Sequence, residues 1–178
     1  MELFDLYTAE REKTARTRVR GEPMPQGFYR LVVHVCIFNP EGQMLIQHRQ
    51  PFKEGWSNLW DVTVGGSAIS GDSSRSAAER ETREELGLSI DLSDVRPTMT
   101  INWEHGFDDY YILTQAVDPA SLQLQYEEVQ AVRWADKEEI LRMIDDGRFI
   151  PYEKSLIELL FFRRNHSSSH TRSDPTKK

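Results

Sequence analysis

One stretch constrains the fold more than any other. Leu31 to Phe38 reads LVVHVCIF, nearly continuous in apolar character and rich in β-branched residues. Such a run reads as a buried strand, the kind covered on both faces. Asn39-Pro40-Glu41-Gly42 follows as a turn, and Gln43 to His48 returns as the second strand of a hairpin. Leu59 to Val64 is a third strand that runs into Gly65-Gly66. A polar loop leads to a helix from about Ser73 to Leu86, with Asp72, Ser73 and Ser74 as N-cap candidates and Gly87 as its stop. Met99 to Trp103, Asp109 to Val117 and Val129 to Trp134 are further strands. Helices follow at about Lys137 to Ile144 and Tyr152 to Phe162. Strands on either side of a central helix, with helices at the end, predict an α/β fold in which a mixed sheet is flanked by helices.

Ahead of this body, Met1 to Tyr7 alternates in part and is a candidate short strand. Glu10 to Gly21 is rich in Arg, Lys and Thr, and Gly21, Pro23, Pro25 and Gly27 break up the stretch. No internal repeat and no dividing linker is visible. Residues 1–164 are therefore expected to form one domain, with 1–30 packed on it as an N-terminal extension. From Asn165 the chain is Ser, Thr, Lys and Arg, so 165–178 is expected to be a disordered tail.

The net charge of −7 argues against a broad grip on nucleic-acid phosphates. An acidic chain can still hold an anionic diphosphate when a divalent cation supplies the local positive charge. A single cysteine, Cys36, excludes an intrachain disulfide and a Cys-based zinc cluster, and its apolar setting suggests a buried, inert thiol. MELFDLYTAEREK lacks the pattern of a signal peptide. No segment approaches the roughly 20 apolar residues of a membrane span. A cytoplasmic protein with no membrane association is the expectation.

The chemistry gathers on the central helix, DSSRSAAERETREELGL from Asp72 to Leu88. Helical residues lie about 100° apart, which sets Glu85 about 40° from Glu81 and Glu84 about 60° away on the other side. Three carboxylates in one narrow arc repel one another. They also stand near the helix C-terminus, where the dipole disfavours negative charge. A solvated acidic face softened by Arg80 and Arg83 would be the ordinary explanation. The strand and Gly65-Gly66 ahead of the helix argue for another. Glycine lets backbone approach a ligand closely, so a carbonyl and a carboxylate cluster come side by side. A hard divalent cation would resolve the repulsion, since Mg²⁺ takes carboxylate oxygens.

These residues resemble the signature of the Nudix family: Gly, five residues, Glu, seven residues, Arg-Glu, an apolar residue, any residue, Glu-Glu, any residue, Gly, apolar. The chain supplies Gly66, Asp72, Arg80-Glu81, Thr82, Arg83, Glu84-Glu85, Leu86, Gly87 and Leu88 at that spacing. Asp72 replaces the usual Glu and is shorter by one methylene. Thr82 replaces an apolar residue. The resemblance implies a Nudix-type α/β/α sandwich and Mg²⁺-dependent hydrolysis of a diphosphate linkage, with Mn²⁺ able to substitute. It implies Gly66 (through its carbonyl), Glu81, Glu84 and Glu85 as metal ligands. Glu81 is a further ligand or the base, Arg80 orients the glutamates, and Asp72 is an outer contact. The substrate would be a small-molecule diphosphate, a nucleoside diphosphate derivative or similar, and a homodimer is an option.

The stretch HRQPFKEGWSNLWDVTVGGSAISGD and the N-terminal LFDLYTAEREKTART resemble the branch related to isopentenyl diphosphate isomerase. That isomerase needs a Cys and, two residues later, a metal-binding His before the signature. Here those positions hold Gly65 and Ser67, which disfavours isomerisation. A non-catalytic nucleotide sensor is a further alternative, against which the intact glutamates argue. Glu104, His105, Asp108 and Asp109 read equally as a solvated hairpin tip or as the source of an accessory base or ligand. Arg49 is a candidate phosphate contact. His34 reads as a satisfied core or edge histidine. Trp56, Trp60 and Trp103 read first as core, with base stacking the alternative.

Overall fold

The structure is a computed structural model and describes residues 2–166 and 168. Of the expected tail, only Asn165, His166 and Ser168 fall among them; the rest lies outside the described residues, as does Met1.

The apolar run becomes β3, Arg30–Phe38, at the centre of a seven-stranded mixed sheet. It pairs in parallel with β8, Gly106–Thr114, which in turn pairs antiparallel with β7, Met99–Trp103. On its other edge β3 pairs antiparallel with β6, Val64–Ser67. The return strand β4, Met44–Arg49, touches β3 only at Phe38↔Met44 and then diverges. It pairs instead with β5, Trp60–Asp61, and with β9, Val129–Ala135. The expected hairpin is therefore a fork. Thr63 lies buried in the fork. The Ile37 N–H donates to its hydroxyl at 2.9 Å, and the hydroxyl donates to the Leu45 carbonyl. One side chain thus satisfies backbone groups on both diverging strands.

The fork corrects the expected third strand. Leu59 to Val64 is not continuous: the chain leaves the edge of β4 after Asp61 and joins the edge of β3 at Val64. Gly65 and Gly66 consequently lie inside β6 rather than beyond a strand.

Alternation along β3 builds two cores. Val33, Val35 and Ile37 face α1, Ser74–Leu86, through Ala77, Ala78 and Leu86. Cys36 and Phe38 face the other layer, α2 (Lys137–Asp145) and α3 (Lys154–Arg163), through Ile140, Met143, Ile157 and Leu160. Helices cover both faces of a mixed sheet, as the resemblance implied. Burial pushes the Cys36 thiol well above its ordinary range, in keeping with an inert group. No helix among the described residues is long and apolar enough to cross a membrane.

The N-terminal stretch holds a strand that its sequence concealed. Lys13–Val19 (KTARTRV) is β2, paired with β1, Leu3–Tyr7. This ribbon is tied to the body. Tyr7 exchanges backbone hydrogen bonds with Tyr29, Asp5 accepts from the Ser70 hydroxyl at 2.8 Å, and Arg11 pairs with Asp109.

Replacing Thr63 with the near-isosteric Val leaves the Ile37 N–H and Leu45 C=O buried without that partner. The expected loss is about 1–3 kcal/mol of folding stability, measured by urea unfolding. An unchanged midpoint would show that the fork does not need the hydroxyl.

Candidate active site

Helix α1 is fixed at both ends. Ser73 is the N-cap and forms a reciprocal capping box with Ser76. Gly87 closes the helix in a left-handed conformation with φ 64°, its N–H donating to the Arg83 carbonyl at 3.0 Å. Asp72 precedes the cap and has another task. Its carboxylate accepts from the Ile69 N–H at 3.1 Å, and from Arg80 Nε at 3.2 Å and Nη2 at 2.8 Å.

Arg80 organises what surrounds it. Besides Asp72, it donates to the Ser67 carbonyl at 3.1 Å, to Glu81 at 3.1 Å and to Glu84 at 2.9 Å. The guanidinium therefore joins the helix to β6, one residue past Gly66. Burial disfavours its charge, but contacts with Asp72, Glu81 and Glu84 outweigh that and leave its pKa raised.

Gly66 and Glu81 meet directly. A Cβ on Gly66 would collide with the Glu81 carboxyl. Here the sequence requires glycine for close approach rather than for backbone conformation. Burial raises the Glu81 pKa, and Arg80 pulls it back down. Glu85 is almost fully buried and accepts from Gln47 Nε2 at 3.0 Å. Burial pushes its carboxyl far above the ordinary range, against the opposing pull of Lys53. Glu84 is the most exposed of the three, its side chain 46% accessible.

The donor set fits a hard divalent cation: three carboxylates on one helical arc, with a backbone that only glycine permits beside them. The carboxylates turn to different partners, Glu81 and Glu84 to Arg80 and Glu85 to Gln47. Among the described residues no three acidic, His or Cys side chains converge on a single point.

Beside Gly65, Gly66 and Ser67 opens a cavity of about 460 Å³. Arg49 lines it, with Nη1 directed at Asp61 at 3.4 Å and Nη2 donating to the Gly55 carbonyl at 3.1 Å. Asp108 lines it too and accepts from Trp103 Nε1 at 2.7 Å. The other candidates around it separate. Glu104 stands at the tip between β7 and β8, its side chain 85% exposed, and is not among the cavity residues. Asp108 and Asp109 lie within β8, not at a tip, so alternation turns them to opposite faces. Asp109 is buried against Arg11, Ser74 and Thr100. His34 departs from the expectation of a satisfied histidine: Nε2 lies 3.5 Å from Asp108, but Nδ1 has no hydrogen-bond partner.

Sequence reasoning missed Gln47, Lys53 and Asp61. Gln47 is one polar residue in a largely apolar strand and Lys53 one charge in a loop, so neither carries a signal in the sequence. Only the fork that carries β4 beside α1 brings Gln47 under Glu85.

The NUDIX domain model matches residues 28–156. The chain belongs to the Nudix hydrolase family. It is 48% identical to an uncharacterised Nudix hydrolase of Listeria innocua, over 96% of this chain and 99% of that protein. A crystal structure of a Deinococcus radiodurans protein superposes with a TM-score of 0.72 at 27% identity, over 93% of this chain and all of that one. Similarity to the isopentenyl-diphosphate Delta-isomerase of Salmonella arizonae is 31% identity, over 61% of this chain and 62% of that protein. The family acts on pyrophosphate bonds. The candidate carboxylates of this Nudix hydrolase lie on α1, inside the matched region. Cys36 is buried in the core on the α2–α3 side, and Gly65 carries no side chain.

Gly66→Ala should lower stability by about 1–3 kcal/mol through the clash with Glu81. In a Glu81→Ala background the same substitution should cost clearly less. Equal costs in both backgrounds, read from a double-mutant cycle by thermal melts, would refute the contact.

Glu85 gives a pH signature. Its folded pKa lies above the unfolded value of about 4.3. Its stabilising contribution is thus full below that unfolded value and lost as pH rises through the folded one. Glu85→Gln removes this loss. The melting temperature of the variant relative to the parent should climb between acidic and alkaline pH in the absence of metal. A pH-independent difference would contradict the buried, protonated carboxyl.

Proposed function

We propose that this Nudix hydrolase cleaves the diphosphate linkage of a nucleoside diphosphate derivative or similar organic pyrophosphate, with Mg²⁺ as its cation and Mn²⁺ as a substitute. The observation that carries this reading is the Arg80 clamp, which holds Glu81 and Glu84 beside a glycine backbone that tolerates no side chain.

Glu81, Glu84, Glu85 and the Gly66 carbonyl would hold the cation. When bound, the cation would acidify an attacking water and neutralise charge on the diphosphate. Arg80 keeps Glu81 and Glu84 oriented, and Asp72 keeps Arg80 oriented. The shorter Asp72 serves because it reaches Arg80 across the turn ahead of the helix. Glu81 stands close enough to the Gly66 backbone to act as ligand or as proton acceptor. Arg49 and Lys53 line the adjoining cavity and would offset phosphate charge.

The same reading makes residues 1–164 one catalytic unit in the cytoplasm, alone or as a homodimer, with small molecules rather than nucleic-acid polymers as substrates. Isomerisation is disfavoured by Gly65, Ser67 and the burial of Cys36 on the far side of the sheet. A silent sensor is disfavoured by the cost of crowding Glu81, Glu84 and Glu85 on one arc.

The test is phosphate release, after a coupling phosphatase, from ADP-ribose, NADH, CDP-alcohols, dinucleoside polyphosphates, nucleoside triphosphates and isopentenyl diphosphate, with and without Mg²⁺. Turnover of at least one member that stops on chelation is the expected result. Glu84→Gln should then lose more than the roughly 10–100-fold typical of an outer-shell change while melting as the parent does. Unchanged turnover in that variant would remove Glu84 from the metal site. Silence across the panel with ligand binding intact would favour the sensor.

A further inference from the structure

Asp72 stands in a short, partly exposed turn between β6 and α1. Its N–H donates to the Ile69 carbonyl at 3.0 Å, and Gly71 just ahead of it is left-handed with φ 95°. Its carboxylate reaches forward to Arg80. The Arg80 clamp on Glu81 and Glu84 is therefore only as well placed as this turn. Exposed turns with few contacts sit at the low end of local stability. One that carries a positioning carboxylate needs support from outside.

That support comes from the N-terminal ribbon. The Ser70 N–H donates to the Leu3 carbonyl at 2.7 Å, and the Ser70 hydroxyl donates to Asp5 Oδ1 at 2.8 Å. The Gly71 N–H donates to Asp5 Oδ2 at 2.9 Å. Lys13 Nζ joins the two sides: it pairs with Asp5 at 2.8 Å and donates to the Asp72 carbonyl at 2.8 Å. Among the described residues, every hydrogen bond that reaches Ser70, Gly71 or the Asp72 backbone from beyond residues 69–72 comes from this ribbon. Burial would raise the Asp5 carboxyl, but its bonds from Lys13, Gly71 and Ser70 hold it below the ordinary range. Asp5 thus stays an anion that gathers two donors of the turn and one ammonium.

The length of Asp72 makes this support matter. The side chain is one methylene shorter than the Glu of the family signature, so it reaches Arg80 only when the backbone behind it stands close. A Glu could absorb a shift of the turn by changing rotamer. An Asp has one torsion fewer and less reach to spare.

We propose that Asp5 and Lys13 are positioning residues for α1: they hold the 69–72 turn so that Asp72 meets Arg80, and through Arg80 they set the Glu81–Glu84 geometry that receives the cation. This rests on reading the α1 carboxylates as the cation site. It gives the ribbon, which lies ahead of the matched residues 28–156, a part in the function.

The experiment measures Mn²⁺ affinity of the full chain by electron paramagnetic resonance. Solvent exchange of the Arg80 Nε–H is followed by NMR in the metal-free chain. Lys13→Met and Asp5→Asn should each weaken Mn²⁺ about fivefold, short of the roughly 10–100-fold of a residue that touches a ligand. Both should speed the Nε–H exchange, and Lys13→Arg should restore both readings. Thr14→Val is the control. It removes the Thr14 bond to the Leu6 carbonyl inside the ribbon, away from the turn, and should change neither reading. In an Asp72→Asn background Lys13→Met should cost nothing further, and Asp72→Glu should recover most of what Lys13→Met loses. Mn²⁺ affinity unmoved by Lys13→Met and Asp5→Asn would overturn the proposal. So would an equal loss in Thr14→Val, or a loss that adds in full to that of Asp72→Asn. Mg²⁺-dependent turnover alongside unmoved affinities would overturn this inference and leave the hydrolase standing. Affinities that move as described in a chain that turns over no substrate would do the reverse. A parent that binds no Mn²⁺ would remove the cation site and this inference together.

Discussion

A guanidinium has five N–H donors, and those of Arg80 all find partners: two converge on one Asp72 oxygen, one goes to each of Glu81 and Glu84, and one to the Ser67 carbonyl. The rest of the site depends on this. Three carboxylates on one arc near a helix C-terminus are unfavourable by every local rule. The half-buried Arg80 cation offsets two of them, Glu81 and Glu84, while Glu85 turns to Gln47. The Ser67 carbonyl adds direction, because it locks the helix to β6 at the residue beside Gly66. Lysine could neutralise the same charge, but as a point charge it could not hold these oxygens in a fixed relation.

The clamp works only because the sheet forks. If β3 and β4 stayed paired as a simple hairpin, β6 would have no edge of β3 to join and Gln47 would not lie beneath Glu85. The fork exposes backbone groups that must be satisfied away from water. Thr63 does this with one hydroxyl serving as both acceptor and donor. A buried threonine that touches none of the carboxylates therefore helps decide where the glycine strand runs, and the glycine strand decides where Glu81 stands.

Much of this was legible in the residues. The LVVHVCIF run announced a central strand covered twice, and the spacing from Gly66 through Glu85 announced the acidic arc. What stayed hidden was relational. LWDVTV reads as one strand because each residue suits one; nothing local records that its two ends pair with different partners. KTARTRV hides β2 because none of its residues is buried, so it carries no apolar pattern; the buried side chains of the ribbon all come from β1. Asp108 and Asp109 looked like neighbours in a tip. Within a strand they serve opposite faces, one at the cavity and one at the root of α1. His34 reads as a satisfied core or edge histidine because sequence does not show that its neighbour across the sheet is Gly65.

The charge of the molecule separates along the same lines. A net −7 repels an anionic diphosphate at long range. The cavity beside Gly66 nevertheless carries Arg20, Arg30, Arg49 and Lys53. Of these, Arg20 pairs with Glu2, Arg49 with Asp61 and Lys53 with Glu128, while Arg30 has no carboxylate within ion-pair distance among the described residues. Glu54, Asp61 and Asp108 line the same cavity, so its four cations exceed its carboxylates by one, against the negative charge of the whole chain. The carboxylates of α1 and the cations of the cavity thus form two adjoining zones of opposite charge.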